Sequence, residues 1–503
     1  MRRRLLARAA AALAGALGLL ALILALNTWR QPSRQVAVPA VAPVAVDAQA
    51  VAGRLAAAVR LRTVSVDGQP DAAAAEFLKL HDWLAASYPQ AHAALRRETV
   101  GGYSLLYTWT GTDAGARPMM LMAHQDVVPI APNTERDWQA EPFAGTVRDG
   151  FVWGRGAWDD KGNLVAMMEA VELLARQGFR PRRTLYLAFG HDEETGGERG
   201  AAQIAALLKS RGVRLDFVID EGLLITDGVL KGLDAPLALV GVAEKGYVNL
   251  QLTTHGTPGH ASMPPPATAI GTLAQALQRI ESQPMPAGIR GVAAEMFARI
   301  APEMSAPMRV VLSNLWLFGP LVRHQLEQGP STNAMLRSTS ALTVVAAGNK
   351  ANVLPGEATA NVNVRLLPGD TVAAAVDHAR QVVANPAVEV ATAPGMQSEA
   401  SPVSPVESPS YRLIERTVRE LFPGTVVAPG LMIGATDSRH LLGLADQVYR
   451  FSPVRARAED LPRFHGTNER ISTSNLAELV AFYHRLLVAD AQAGLQAGVQ
   501  PVR

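Results

Sequence analysis

The chain is 503 residues long, 48% hydrophobic and 18% charged, and its 47 basic and 45 acidic residues leave a formal charge of +2. That balance excludes a disordered polymer and an electrostatic binder of nucleic acid, and the length calls for more than one ordinary core. The absence of cysteine excludes disulfides, thiolate metal sites and a cysteine nucleophile.

The first element in the chain is apolar. Arg2, Arg3, Arg4 and Arg8 precede an uncharged run over residues 9–26, intermediate in length between a signal-peptide core and a full membrane span. The basic flank is expected to stay cytoplasmic, which sends everything after Asn27 outward. No small-x-small cleavage site closes the run cleanly. Residues 1–30 are therefore expected to form an uncleaved anchor facing the periplasm or cell exterior, with a cleaved signal peptide and secretion as the alternative. Residues 31–45, with Pro32, Pro39 and Pro43, read as an extended tether.

From residue 46 helix-like and strand-like segments alternate, the pattern of an α/β sheet with crossover helices. The spacing predicts a strand ending at His124, a helix over 161–177, a strand over 184–189, a helix over 199–210 and a strand over 217–219. Near residue 246 the character changes. Segments 247–253 and 359–365 alternate polar with apolar, as half-exposed strands do. The expected fold class is α/β: a catalytic α/β/α domain around a central, mostly parallel sheet, made of 46–246 and 398–490. An α+β lid module, 247–397, is inserted between the two parts, and 491–503 is a C-terminal tail.

Polar clusters punctuate this pattern. LMAHQDVVPI places His124 and Asp126 at the end of an apolar strand, where parallel sheets bind ligands. GRGAWDDKG brings Asp159 and Asp160 to the start of a helix. GHDEETGG, the following Asp220-Glu221-Gly222, and FHGTNE complete the set. Clustered carboxylates repel one another and resist desolvation, so cations must neutralise them. With no thiolates, imidazole and carboxylate ligands suit zinc, with cobalt or manganese as substitutes. Two histidines and several carboxylates exceed the needs of one catalytic ion. Two ions sharing a carboxylate, about 3.5–4 Å apart in such centres, fit the inventory. Side chains of adjacent residues diverge, so of Glu193 and Glu194 one can ligate while the other acts as general base. Asp126 is placed to orient the His124 ring. Asp160 and Asp192 read as turn or cap residues, and His191 as a neighbour of the site rather than a ligand.

These motifs, with TPGHAS, together resemble the aminoacylase/carboxypeptidase family of co-catalytic zinc metallopeptidases, in its carboxypeptidase S and secreted N-acyl amino acid synthase/hydrolase branch. The resemblance implies His124 and His465 as histidine ligands, Asp159 as the bridging carboxylate, Glu194 as a terminal ligand and Glu193 as the general base. The other terminal ligand is Asp220 or Glu221. His260 is implied to stabilise the oxyanion, commonly across a dimer interface, which leaves a homodimer open. Arg365 and Asn352 correspond to the family's substrate-carboxylate site, and the loop 434–437 lines the same pocket. The implied function is zinc-dependent hydrolysis of an amide or peptide bond beside a free carboxylate, on a peptide or N-acyl amino acid. A dipeptidase or another deacylase on the same two-metal centre is the alternative. A non-catalytic binding protein for amino-acid conjugates would have no use for Glu193. No nucleic-acid partner is expected, and membrane contact only through the N-terminal segment.

Overall fold

The computed structural model describes residues 2–497. Its largest sheet has eight strands in the order Arg96–Val100, Ser104–Trp109, Leu185–Gly190, Met119–His124, Leu215–Thr226, Ala445–Ala456, Leu237–Glu244, Val426–Met432. The four from Leu185–Gly190 to Ala445–Ala456 run parallel to one another. Strand Met119–His124 shows why this order is stable: it is buried along its whole length, so its apolar run serves both faces. Met119, Leu121 and Ala123 join one core and Met120 and Met122 the other. Helices Ala48–Val59, Lys161–Arg176, Pro409–Leu421 and Thr473–Ala497 cover the first face, and Ala201–Ser210 the second. The protein is thus a three-layer α/β/α sandwich, with the strand ends His124 and Gly190 paired in register at one edge.

The second sheet is antiparallel, in the order Thr339–Ala347, Glu357–Leu366, Gly246–His255, Val388–Thr392. Helices Ala269–Ser282 and Val372–Val383 bury one face through Val248, Leu250, Leu252, Val362 and Val364. The opposite face carries Tyr247, Asn249, Asn363 and Arg365, half-buried. Two connecting segments join this module to the sandwich, and they are hydrogen-bonded to each other between Tyr247 and Ser398. Gly246 is required there, because a Cβ would meet the backbone of residues 398–400 at about 2.5 Å.

Between Gly291 and Leu336 the chain forms further helices that pack elsewhere. Met296, Phe297, Ile300 and Leu312 cluster with Leu237, Val426 and Ala428 of the large sheet, so this stretch covers the edge of the sandwich rather than the module. Residues 31–45 hold no regular structure but are docked: Val41 N–H donates to Glu420 O (2.9 Å), Arg419 Nε to Val36 O (2.6 Å) and Gln35 Nε2 to Val427 O (2.9 Å). The apolar N-terminal helix spans Arg2–Trp29 with no buried residue. The last helix continues to Ala497, so the tail expected over 491–503 begins inside it, and 498–503 lie outside the described residues.

Candidate metal centre and substrate cavity

At the carboxyl edge of the large sheet, the loops after His124 and Gly190 meet the turn before helix Lys161–Arg176. His124 Nε2 lies 2.9 Å from Asp159 Oδ1, and His465 Nε2 lies 2.7 Å from Asp159 Oδ2. The two oxygens of one carboxylate therefore face two different histidines. Glu221 joins His124 and Asp159 with ligand atoms all within 4.8 Å, and Glu194 joins Asp159 and His465 in the same way. Glu193 belongs to neither group, yet lines the same cavity.

The electrostatics of this cluster favour a cation. Burial, then the neighbouring carboxylates Asp159, Asp160 and Asp220, push the Glu221 carboxyl well above its usual range. Burial does the same to Glu193, reinforced by Asp437 and Glu194 against the pull of His124. Asp159 is held low: burial opposes its charge, but its bonds to His124 and His465 outweigh that. Glu194 Oε1 is buried without a hydrogen-bond partner. Orphaned carboxylate oxygens beside two imidazoles are the donor set a borderline divalent ion binds, so these residues fit a metal.

Around them a scaffold fixes each ligand. Asp126, fully buried, accepts from the backbone N–H of Glu193 (3.2 Å) and Glu194 (3.1 Å) and from Ser65 Oγ (2.6 Å). The His124 Nδ1 sits 3.0 Å from the Asp126 carbonyl oxygen and 3.4 Å from its carboxylate. Asp126 thus leaves His124 Nε2 free to ligate through its carbonyl and holds the Glu193-Glu194 turn through its side chain. Asp160 accepts from His124 N–H at 3.2 Å and from Asn163 Nδ2. Asp192 closes its own loop by accepting from Arg199 N–H at 2.8 Å. His191 turns away to Ser104 Oγ, 2.7 Å distant. Asp220 spends one oxygen on Glu221 N–H (3.0 Å) and the other on Ser438 N–H (2.8 Å). Of the adjacent pair, Glu221 is the one whose carboxylate lies with His124 and Asp159.

Three participants escaped sequence reasoning, although each lies in or beside a recognised motif. Glu469 Oε1 accepts from the backbone N–H groups of Gly156, Trp158 and Asp159 at 2.8–3.1 Å, while Oε2 pairs with Arg155 at 2.5 Å. Arg155 in turn donates to His465 O at 3.0 Å. This buried pair therefore ties the Asp159 turn to the His465 loop. The third is Arg439, which donates to Gly196 O and lines the cavity.

The cavity measures about 510 Å³, and its lining brings Glu193, Glu194 and His465 together with Arg365 and Arg439, and with Tyr247, Met396 and Met432. Arg365 stacks over the Tyr247 ring at 4.6 Å and reaches Asn363 Oδ1 at 3.2 Å. Gly434 and Ala435 of the expected loop are part of the lining. His260 and Asn352 are not. They sit together on an exposed ribbon of the module, where Ala261 N–H donates to Asn352 O at 3.0 Å.

The sequence profile of Peptidase family M20/M25/M40 matches residues 120–489. Among its relatives, the N-fatty-acyl-amino acid synthase/hydrolase PM20D1 of Xenopus tropicalis is 42% identical over 86% of this chain and 84% of its own. Probable carboxypeptidase S-like 2 of Dictyostelium discoideum is 39% identical over 93% and 91%. In solved structures the same fold occurs in the M20 family metallo-carboxypeptidase Sso-CP2 of Sulfolobus solfataricus, with a TM-score of 0.62 at 16% identity over 89% of this chain and 100% of that one. Human carnosine dipeptidase 1 follows with a TM-score of 0.60 at 15% identity, over 88% and 96%.

Proposed function

Since this chain belongs to peptidase family M20/M25/M40 and is a metal-dependent hydrolase of amide or peptide bonds, we propose that it cleaves N-acyl amino acids or peptides at the bond next to a free carboxylate. The observation that carries this is the cavity itself, whose lining combines the carboxylate–imidazole cluster with two arginines. A guanidinium binds a carboxylate through its planar fork, so Arg365 and Arg439 hold the free carboxylate while the scissile carbonyl lies against the cluster. Tyr247, Met396 and Met432 offer an apolar wall for the acyl or side-chain portion. The names of the relatives in Xenopus and Dictyostelium span both an acyl and a peptidyl substrate.

His124, Asp159 and Glu221 would hold one ion and Asp159, Glu194 and His465 a second, with zinc the best match for this donor set. Such ions supply charge neutralisation, polarisation of the carbonyl and acidification of water. Glu193 accepts the proton of the attacking water and returns it to the departing nitrogen. A carboxylate beside the reacting water suits this double role of base and then acid. The exposed position of His260 suits delivery to the cavity of a second copy, and the unpaired edge strand Thr339–Ala347, with Val344 and Val345 exposed, offers a surface for that dimer. The N-terminal helix serves as a membrane anchor facing outward, or as a signal peptide.

The test is a panel of N-fatty-acyl amino acids, blocked dipeptides and free dipeptides with zinc-loaded protein and Glu193→Gln. Release of free amino acid by the wild type, with retained metal but lost turnover in the variant, supports the assignment and ranks acyl against peptidyl substrates. Turnover of free dipeptides alone would replace it with a dipeptidase.

A further inference from the structure

Helix Leu315–Glu327 takes no part in the site. Its inner stripe, Leu315, Val322 and Leu326, packs on the cluster around Phe297 and Val426. The first half of its outer face is apolar as well: Trp316 is 59% exposed, Leu317 39% and Leu321 65%. Past Leu321 that face turns polar, with Arg323, His324 and Gln325 exposed. An exposed apolar surface confined to one half of a helix marks a contact with something apolar.

What it contacts follows from its neighbour. The end of the N-terminal helix is fastened to the turn that opens this one. Asn27 Nδ2 donates to Asn314 Oδ1 (3.1 Å), Asn314 Nδ2 donates to Leu24 O and Thr28 Oγ1 (3.3 Å each), and Gln31 Nε2 donates to Ser313 O (3.3 Å). The N-terminal helix has a mean hydropathy of 2.5 over its most apolar stretch, none of it buried. Its apolar run ends at Leu26, followed by Asn27 and Thr28, so in a spanning helix residues 24–28 lie at the outer boundary of the hydrocarbon. Trp316 Nε1 itself donates to Asn314 Oδ1 (3.2 Å), so the bonds to Asn314 fix Trp316 at that same level near the end of the N-terminal helix, whose Trp29 is 78% exposed. Tryptophan prefers this boundary, where the indole meets both headgroups and chains.

We propose that residues 315–321 form a lipid-facing foot, seated in the outer interfacial layer of the bilayer, that holds the catalytic sandwich against the membrane in one orientation. Because residues 31–45 are bound along the sandwich, the tether leaves the body little freedom to swing away. The proposal goes beyond the amidohydrolase assignment and rests on the anchor reading of the N-terminal helix.

The absence of cysteine allows a direct test. Single variants Leu321→Cys, Leu17→Cys and Leu78→Cys of the full chain, each nitroxide-labelled and reconstituted in phosphatidylcholine bilayers, are compared for collision with oxygen and with a water-soluble nickel chelate. Leu78, exposed on helix Ala74–Ser87, is the aqueous reference and Leu17 the reference for insertion. The foot predicts raised oxygen and several-fold lower nickel collision at 321 relative to 78. Nickel access at 321 equal to that at 78 overturns it, and so does loss of both collisions, which would mean protein contact. The label at 17 separates the failures: hydrocarbon at 17 with water at 321 removes the foot alone, whereas water at both removes the anchor with it. Trp316→Glu combined with Leu321→Glu should return a label at Leu317→Cys to water while hydrolysis of a soluble substrate stays unchanged.

Discussion

At Glu469 one buried carboxylate serves three backbone N–H groups and the Arg155 guanidinium, so the charges compensate each other only as a set. Glu469→Gln would leave Arg155, 1% exposed, without a counter-charge, and a loss of about 3–5 kcal/mol is expected. Urea unfolding of Glu469→Gln, Arg155→Met and the double variant measures it, with the double change costing less than the sum of the single ones. Asp126→Asn tests a different role. Its amide could not accept from both the Glu193 and Glu194 N–H groups, so the turn that presents them should loosen. An activity loss of about 10–100-fold is expected, with the fold unchanged by circular dichroism. Only one of the two was within reach of sequence reasoning: Asp126 stands two positions from a histidine at a strand end, whereas Glu469 shows its purpose only once its carboxylate is seen inside the Asp159 turn.

Among the elements, the connection between the sheets decides how the module is held. Lys245 lies between strands Leu237–Glu244 and Gly246–His255 and donates to Ala334 O, Arg337 O and Thr339 Oγ1 at 3.0–3.1 Å. Burial, helped by the like charge of Arg365, pushes its ammonium down to about 7, while in the unfolded chain it stays near its ordinary value of about 10.4. Between those values the unfolded chain binds more protons, so this lysine makes stability rise with pH. Denaturant titrations at pH 7 and pH 9.5 should show the wild type gaining stability relative to Lys245→Met. Helices 291–336 teach a related lesson. Their apolar stripes are evident in the sequence, but a stripe does not name its partner. They follow the module's strand in the chain yet pack on the edge of the sandwich, because strand Val426–Met432 leaves Val426 and Ala428 to be covered there.

For the whole molecule two outcomes are expected. Chelation should abolish hydrolysis and lower the melting temperature, because the uncompensated carboxylates of the cluster are left to repel one another and a ligand bound only by the folded state is lost; readdition of zinc should restore both. If His260 serves the cavity of a second copy, an equimolar mixture of His260→Ala and Glu193→Gln, each inactive alone, should recover about a quarter of wild-type activity through mixed dimers. No recovery after subunit exchange would place His260 in the cavity of its own chain. The sequence by itself determined the chemistry: strand-end His124, the Asp159 turn and the Glu193-Glu194 pair are local signals, in which a polar group closes an apolar run and the run dictates where it emerges. It also determined the α/β class, since alternation of buried strands and helices is a short-range pattern. Only the tertiary structure decided that Glu221 rather than Asp220 faces His124 and Asp159, that Arg439 and Arg365 line one cavity, that Glu469 locks two loops together, and that Trp316 lies beside the end of the N-terminal helix. Each of these depends on distances between residues far apart in the chain, and periodicity carries no information about them.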